Sequence, residues 1–105
     1  MPRYLVERLF DDISDDDMLA AAIRSDTVRQ SDFPDLTWEH TYVCVEDDGS
    51  ITTFCIYVGP DEASIRRHGA AFGSHVVGRV WEIADDMSPA LLAEKLASRA
   101  PAARQ

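Results

Sequence analysis

An α+β fold, built as one four-stranded antiparallel sheet with two helices on one face and a further helix at the C-terminal end, is predicted by three observations. The two-residue alternation typical of strands occupies residues 3–10, 36–46, 51–58 and 76–83. Segments with helical spacing and N-terminal capping residues separate the first strand from the second and the third from the fourth. After the last strand, Ser88-Pro89 opens a leucine-bearing segment.

"RYLVERLF" alternates well enough for a strand, although hydrophobicity alone lets either side be the buried one. Ser14 with Asp17 then forms a capping box, and the acidic run Asp15-Asp16-Asp17 suits the positive end of a helix dipole. Leu19, Ala22 and Ile23 supply the expected apolar stripe. Pro34 breaks the chain before the second strand. The second and third strands flank Asp47-Asp48-Gly49-Ser50, where Asp-Gly is the preferred centre of a two-residue type I′ hairpin. Gly59-Pro60-Asp61 ends the third strand, and "DEASIRRHGAAF" places Ile65, Gly69 and Phe72 at helical spacing until Gly73 closes the helix. "VVGRVWEI" is the fourth strand. Ser88 and Pro89 are an N-cap and first-turn pair for a last helix carrying Leu91, Leu92 and Leu96. Residues 1–99 are expected to form a single domain, with a frayed tail over 100–105.

The order β-α-β-β-α-β plus a helix is the ferredoxin-like split βαβ arrangement, which leaves one sheet face uncovered. With Asp48-Gly49 at the turn, Val43 would pair with Phe54, Tyr42 with Cys55, His40 with Tyr57 and Cys44 with Thr53. Val43, Val45, Phe54, Ile56 and Val58 would then pack under the helices, and Trp38, His40, Tyr42, Cys44, Thr53, Cys55 and Tyr57 would line the open face. A one-residue slip would exchange these sets. The stated register is preferred because it gathers the aliphatic residues on one side. On the first strand Glu7 joins this face if the strand turns Leu5 and Glu7 outward and Tyr4, Val6 and Phe10 inward. A large exposed patch of this kind marks an interface or ligand site, and a homodimer closing two such faces, the dimeric α+β barrel arrangement, covers it most simply.

The chain of 105 residues is long enough for one real core, and its 46% hydrophobic content fits a globular domain. A formal net charge of −9 repels phosphate backbones, which argues against a nucleic-acid partner. No apolar run approaches the roughly 18 residues of a membrane span. With no charged-then-apolar leader before the first strand, the cytoplasm is the expected location. Cys44 and Cys55 match no standard zinc spacing and are expected to be reduced thiols.

On the open face, imidazole, thiolate and carboxylate groups from His40, Cys55 and Glu7 would together suit zinc, nickel or copper better than magnesium or calcium. Tyr42 and Tyr57 would stand behind them as further ligand-binding groups. Competing readings are a hydrogen-bonded dimer interface with two small buried thiols, a Cys44–Cys55 redox pair, and catalysis with His40 as general base or Tyr57 as proton donor. No nucleophile elbow, GxGxxG or GxxxxGK[ST] motif supports catalysis or nucleotide binding. His68 is expected to interact with the negative end of the second helix, and His75 to be exposed in a turn.

With "RYLVER", "WEHTYV", "FCIYVGPDEASIRRH" and "GRVWEI" in that order, residues 2–84 resemble a small bacterial family of unknown function whose members are ferredoxin-like, dimeric and described as nickel-binding-protein-like. By position, the family's recurrent residues correspond to Glu7, Arg8, His40, Tyr42, Cys55, Tyr57, Pro60, Glu62, His68 and Glu82. Members described as nickel proteins are richer in His and Asp on the first and fourth strands, where this chain has Leu5, Glu7 and Trp81. The resemblance therefore implies fold and dimer more strongly than nickel. The leading expectation is a cytoplasmic homodimer binding a divalent transition metal, nickel or zinc, through Glu7, His40 and Cys55. A small-molecule binder or enzyme using the same cavity is the alternative, and a structural interaction domain the second.

Overall fold

Strand β1 (Arg3–Phe10) lies between β3 (Ile51–Val58) and β4 (Val76–Glu82), and β2 (Thr37–Val45) flanks β3, giving the antiparallel order β2-β3-β1-β4. Helices α1 (Asp15–Asp32) and α2 (Glu62–Phe72) follow β1 and β3, and α3 (Pro89–Ala103) follows β4. This is the ferredoxin-like arrangement the sequence predicts. The computed structural model describes the backbone of residues 1–103 and the side chains of residues 1–99. The tail expected to fray over 100–105 falls where side chains lie outside the described residues, as residues 104 and 105 do altogether.

The helix starts follow their capping chemistry. Ser14 Oγ accepts from the Asp17 N–H (3.1 Å), Asp61 Oδ1 from the Ser64 N–H (2.7 Å) and Ser88 Oγ from the Leu91 N–H (3.1 Å). At the far end of α2, Gly73 adopts φ +69° and its N–H reaches the Gly69 carbonyl. The buried face of α1 is not the expected one. Ala21 is buried, with Met18, Ser25 and Arg29 beside it on the inner side, whereas Leu19 and Ile23 are exposed. Polar anchors set this rotation: Arg24 donates to the Phe72 carbonyl and Ser74 Oγ, and Arg29 to the Leu36 carbonyl.

The hairpin loop is one residue longer than the two-residue type I′ turn expected at Asp48-Gly49. Glu46 and Ser50 close the ladder, with the Glu46 N–H donating to the Ser50 carbonyl (2.8 Å), and Asp47, Asp48 and Gly49 form a three-residue loop. Asp48 Oδ1 accepts from the Ser50 N–H and hydroxyl, and Gly49 takes the left-handed conformation at φ +88°. Pairing therefore shifts by one residue from the expected register: His40 faces Ile56, Tyr42 faces Phe54, Val43 faces Thr53 and Cys44 faces Thr52. The expected faces of β3 are exchanged. Thr53, Cys55 and Tyr57 lie under the helices, and Phe54 and Ile56 lie on the open side. A bulge between Trp38 and His40 also turns Trp38 to the helix side.

The core consists of Tyr4, Val6, Leu36, Cys55, Tyr57 and Ile65, with Phe33, Val77 and Val80 packed against it. Val6, Leu36 and Ile65 are essentially solvent-free; burying such side chains contributes about 1.5–3 kcal/mol each.

Candidate functional site

The open face carries rows of side chains across the sheet. His40, Ile56, Leu5 and Trp81 form one row, and Tyr42, Phe54 and Glu7 the next; Cys44, Thr52, Leu9 and Val76 form a third. Tyr42, Leu9 and Val76 are exposed, so the surface is predominantly apolar. The His40 ring lies against Tyr42, centroids 4.4 Å apart. One Glu7 carboxylate oxygen accepts from the Arg79 N–H (3.1 Å), and the Arg79 guanidinium lies over the Trp81 ring (4.6 Å). Glu7 and His40 thus share the face but are separated by two strands and two residues, roughly 12 Å in ideal sheet geometry.

Cys55 does not join them. It is 4% exposed and lies beneath the helices, on the opposite side of the sheet from Glu7 and His40. The expected triad fails because the three-residue loop shifts β3 by one position. Nor do Tyr42 and Tyr57 meet, for the same reason, and Cys44 and Cys55 occupy opposite faces. Among the described residues no three His, Cys, Asp or Glu side chains converge to hold a metal ion. Within one chain, then, the donor set does not fit nickel or zinc.

The helix side holds a group that sequence reasoning did not single out as a site. Arg8 is 2% exposed, beneath α1 and α2. Its Nη1 donates to His75 Nε2 (2.8 Å) and its Nη2 lies 3.5 Å from His68 Nδ1. Both imidazoles are held as acceptors, because their other nitrogens face backbone carbonyls: His68 Nε2 that of Ser25 (3.0 Å) and His75 Nδ1 that of Gly73 (2.7 Å). Burial, reinforced by the Arg8 charge, pushes both histidines below the ordinary range, so both are neutral near pH 7. The guanidinium also lies over the Phe72 ring (5.0 Å) and the Tyr57 ring (5.6 Å). Burial raises the Tyr57 phenol, with Arg8 opposing the shift. Gly69 makes room for this cluster, since a Cβ there would lie 2.7 Å from Arg8 Nη1 and 2.5 Å from Val77 Cγ2.

His68 is therefore a fully buried ring among Phe33, Tyr57 and Phe72 rather than a helix-end group. His75 is partly buried between Phe10 and Phe72 rather than exposed. A signal for the cluster is present in β1: Tyr4, Val6, Arg8 and Phe10 share one parity, so a strand facing the helices through Val6 must carry a charge inward.

The family model for SCO4226-like proteins, described as nickel responsive protein SCO4226-like, matches residues 4–83. The chain belongs to this family. The crystal structure of SCO4226 from Streptomyces coelicolor A3(2) is similar with a TM-score of 0.64 at 17% identity, covering 81% of this chain and 99% of that one. At that identity the likeness concerns the fold. No curated protein matches the chain. Among the described residues no helix is long and apolar enough to cross a membrane. SCO4226-like membership accounts for the strand order, and it leaves the chemistry of the two faces to the residues of this chain.

Proposed function

We propose that this SCO4226-like protein acts as a cytoplasmic homodimer that binds a divalent transition metal of the nickel type between two open sheet faces. The observation that carries the reading is the distribution of donors: His40 and Glu7 stand singly on an apolar face, too far apart in one chain to share an ion. A second copy supplies the missing donors and also covers the exposed Tyr42, Leu9 and Val76 together with the half-buried Leu5, Phe54, Ile56 and Trp81 beside them. Two unpaired thiols suit a reducing compartment. Imidazole and carboxylate are suitable donors for nickel or zinc. His40 and Glu7 are the proposed ligands, Tyr42 packs on the His40 ring, and Cys55 and Tyr57 are not part of this site.

Calorimetric titration of untagged protein with nickel, paired with its mass in solution by light scattering, tests the reading. Two symmetry-related ions per dimer, both lost in His40→Ala with the dimer retained, are expected. A monomer binding nickel on its own, or unchanged nickel binding in His40→Ala, would overturn it.

A further inference from the structure

Between α1 and the helix-side surface of β2 and β3 lies a cavity of about 220 Å³. Its walls include Arg8, Phe10, Trp38, Cys55, Tyr57 and Phe72, with Met18, Ala21 and Ala22 of α1 on the opposing side. The cavity exists because α1 packs along α2 and leaves the β2 edge of the sheet uncovered, while the bulge before His40 swings Trp38 into the opening. None of the residues proposed to bind metal contributes to it.

The wall is apolar apart from a few hydroxyl groups, Asp26 and one permanent cation. Asp26 is engaged elsewhere: its Oδ1 accepts from Arg29 Nε and its Oδ2 from Gln30 Nε2. Arg8 has only the two neutral imidazoles, and no carboxylate among the described residues pairs with it. Its Nε is the single buried side-chain nitrogen or oxygen among the described residues without a hydrogen-bond partner. A buried guanidinium lacking an opposite charge is costly, and an unused N–H adds to that cost. Both deficits are met by the same chemistry, an anion with paired oxygens. Arginine binds carboxylates in this forked geometry.

Size and lining define the rest of the ligand. A dry cavity of about 150 Å³ accommodates benzene, so this one has room for a ring with a carboxylate attached. Trp38, Phe10 and Phe72 line the cavity and supply the aromatic surface against which such a ring packs. We infer that the helix-side cavity is a binding site for a small aromatic monocarboxylate of about benzoate size, with Arg8 pairing the carboxylate and the aromatic wall receiving the ring. This inference is independent of the metal reading, which concerns the other face of the sheet.

Titration of 15N-labelled full-length protein with sodium benzoate, followed through the Arg8 Nε–H and Trp38 indole N–H resonances, tests the site directly. Saturable shifts of both are expected. Benzamide, which keeps the ring and loses the charge, should bind about tenfold more weakly or worse, and so should inorganic phosphate, which keeps the charge and lacks the ring. Arg8→Met should abolish binding. If that variant does not fold, Ala22→Phe, which fills the cavity from α1 without touching the cluster, should weaken benzoate binding by a similar factor. Absence of saturable shifts at millimolar benzoate would overturn the inference, as would equal affinity for benzoate and benzamide or for benzoate and phosphate. Unchanged benzoate binding in a folded Arg8→Met protein, or in Ala22→Phe, would also overturn it.

Discussion

Lowering the pH from 7.5 to 5.5 should destabilise this protein although it relieves a net charge of −9. The cause is the pair of buried acceptor histidines. His68 faces Arg8 from β1 and the Ser25 carbonyl, Asp26 and Arg29 from α1; His75 faces Arg8, the Gly73 carbonyl, His68 and Arg24. Burial is the largest influence on both and holds them below the ordinary histidine value of about 6.5. The unfolded chain therefore takes up protons that the native protein refuses. Stability is fully present above pH 6.5 and is lost as the pH falls towards the native values. Each imidazole that stays neutral while its unfolded counterpart protonates changes stability by up to about 1.4 kcal/mol per pH unit. Integrated from pH 6.5 to 5.5, two such groups set a ceiling of about 2 kcal/mol, or roughly 8–15 °C in Tm for a domain of this size. The carboxylates held below their ordinary range, Asp26, Asp48, Asp61 and Asp85, respond only near pH 4 and below, outside this window. Urea denaturation at fixed protein concentration, at half-unit pH steps, measures the slope. His68→Gln combined with His75→Gln should be less stable at pH 7.5 and nearly flat from 6.5 to 5.5. Wild-type stability that is constant or rises on acidification, or a double variant that keeps the slope, would refute the reasoning.

The hairpin and the buried thiol give two further expectations. Gly49→Ala should cost about 1 kcal/mol, because Gly49 sits at φ +88° with open space around it and the cost is purely conformational. Gly49→Asn should cost clearly less, and equal losses in urea denaturation would show that the loop does not hold Gly49 in the left-handed region. In Cys44→Ser, the remaining Cys55 thiol should resist a disulfide reagent in native buffer and react only as fast as the protein opens, since Cys55 is 4% exposed. Immediate reaction would contradict its position under the helices.

Much of the fold is legible in the sequence because its signals are local. Ser14, Ser88 and Gly73 act at the helix boundaries where their chemistry predicts, and the four strands form where the two-residue alternation runs. The site is less legible because it depends on register, which one residue decides. Asp-Gly is compatible with a two-residue loop and with a three-residue loop that ends on Gly49. Asp48 selects the longer one by accepting two hydrogen bonds from Ser50. The rule that the more aliphatic face lies under the helices then misleads, because the open face is itself apolar. Phe54 and Ile56 belong there, while Thr53, Cys55 and Tyr57 surround Arg8 and the helix-side cavity. His75 was illegible for a different reason: a residue in a turn shows nothing of the Phe10 and Phe72 rings that come from distant segments to enclose it.

The two candidate sites share their most constrained element and divide along its pleat. β1 is hydrogen-bonded on both sides, to β3 and β4, and its consecutive residues Glu7 and Arg8 send opposite charges to opposite faces. β2 makes the same division by other means. On an uninterrupted strand Trp38 and His40 would share a face; the bulge at Glu39 separates them, giving the indole to the helix-side cavity and the imidazole to the open face. The bulged residue is tied down, since Glu39 accepts from Arg3 at the start of β1 (2.9 Å) and Arg3 also holds Asp86. These ion pairs join the bulge of the edge strand, the least buried strand of the sheet, to the start of β1 and to the segment after β4. The sequence "WEHTYVC" thus carries two surfaces rather than one: the bulge at Glu39 brings Trp38 into phase with Thr41 and Val43 on the helix side and leaves His40, Tyr42 and Cys44 on the open face.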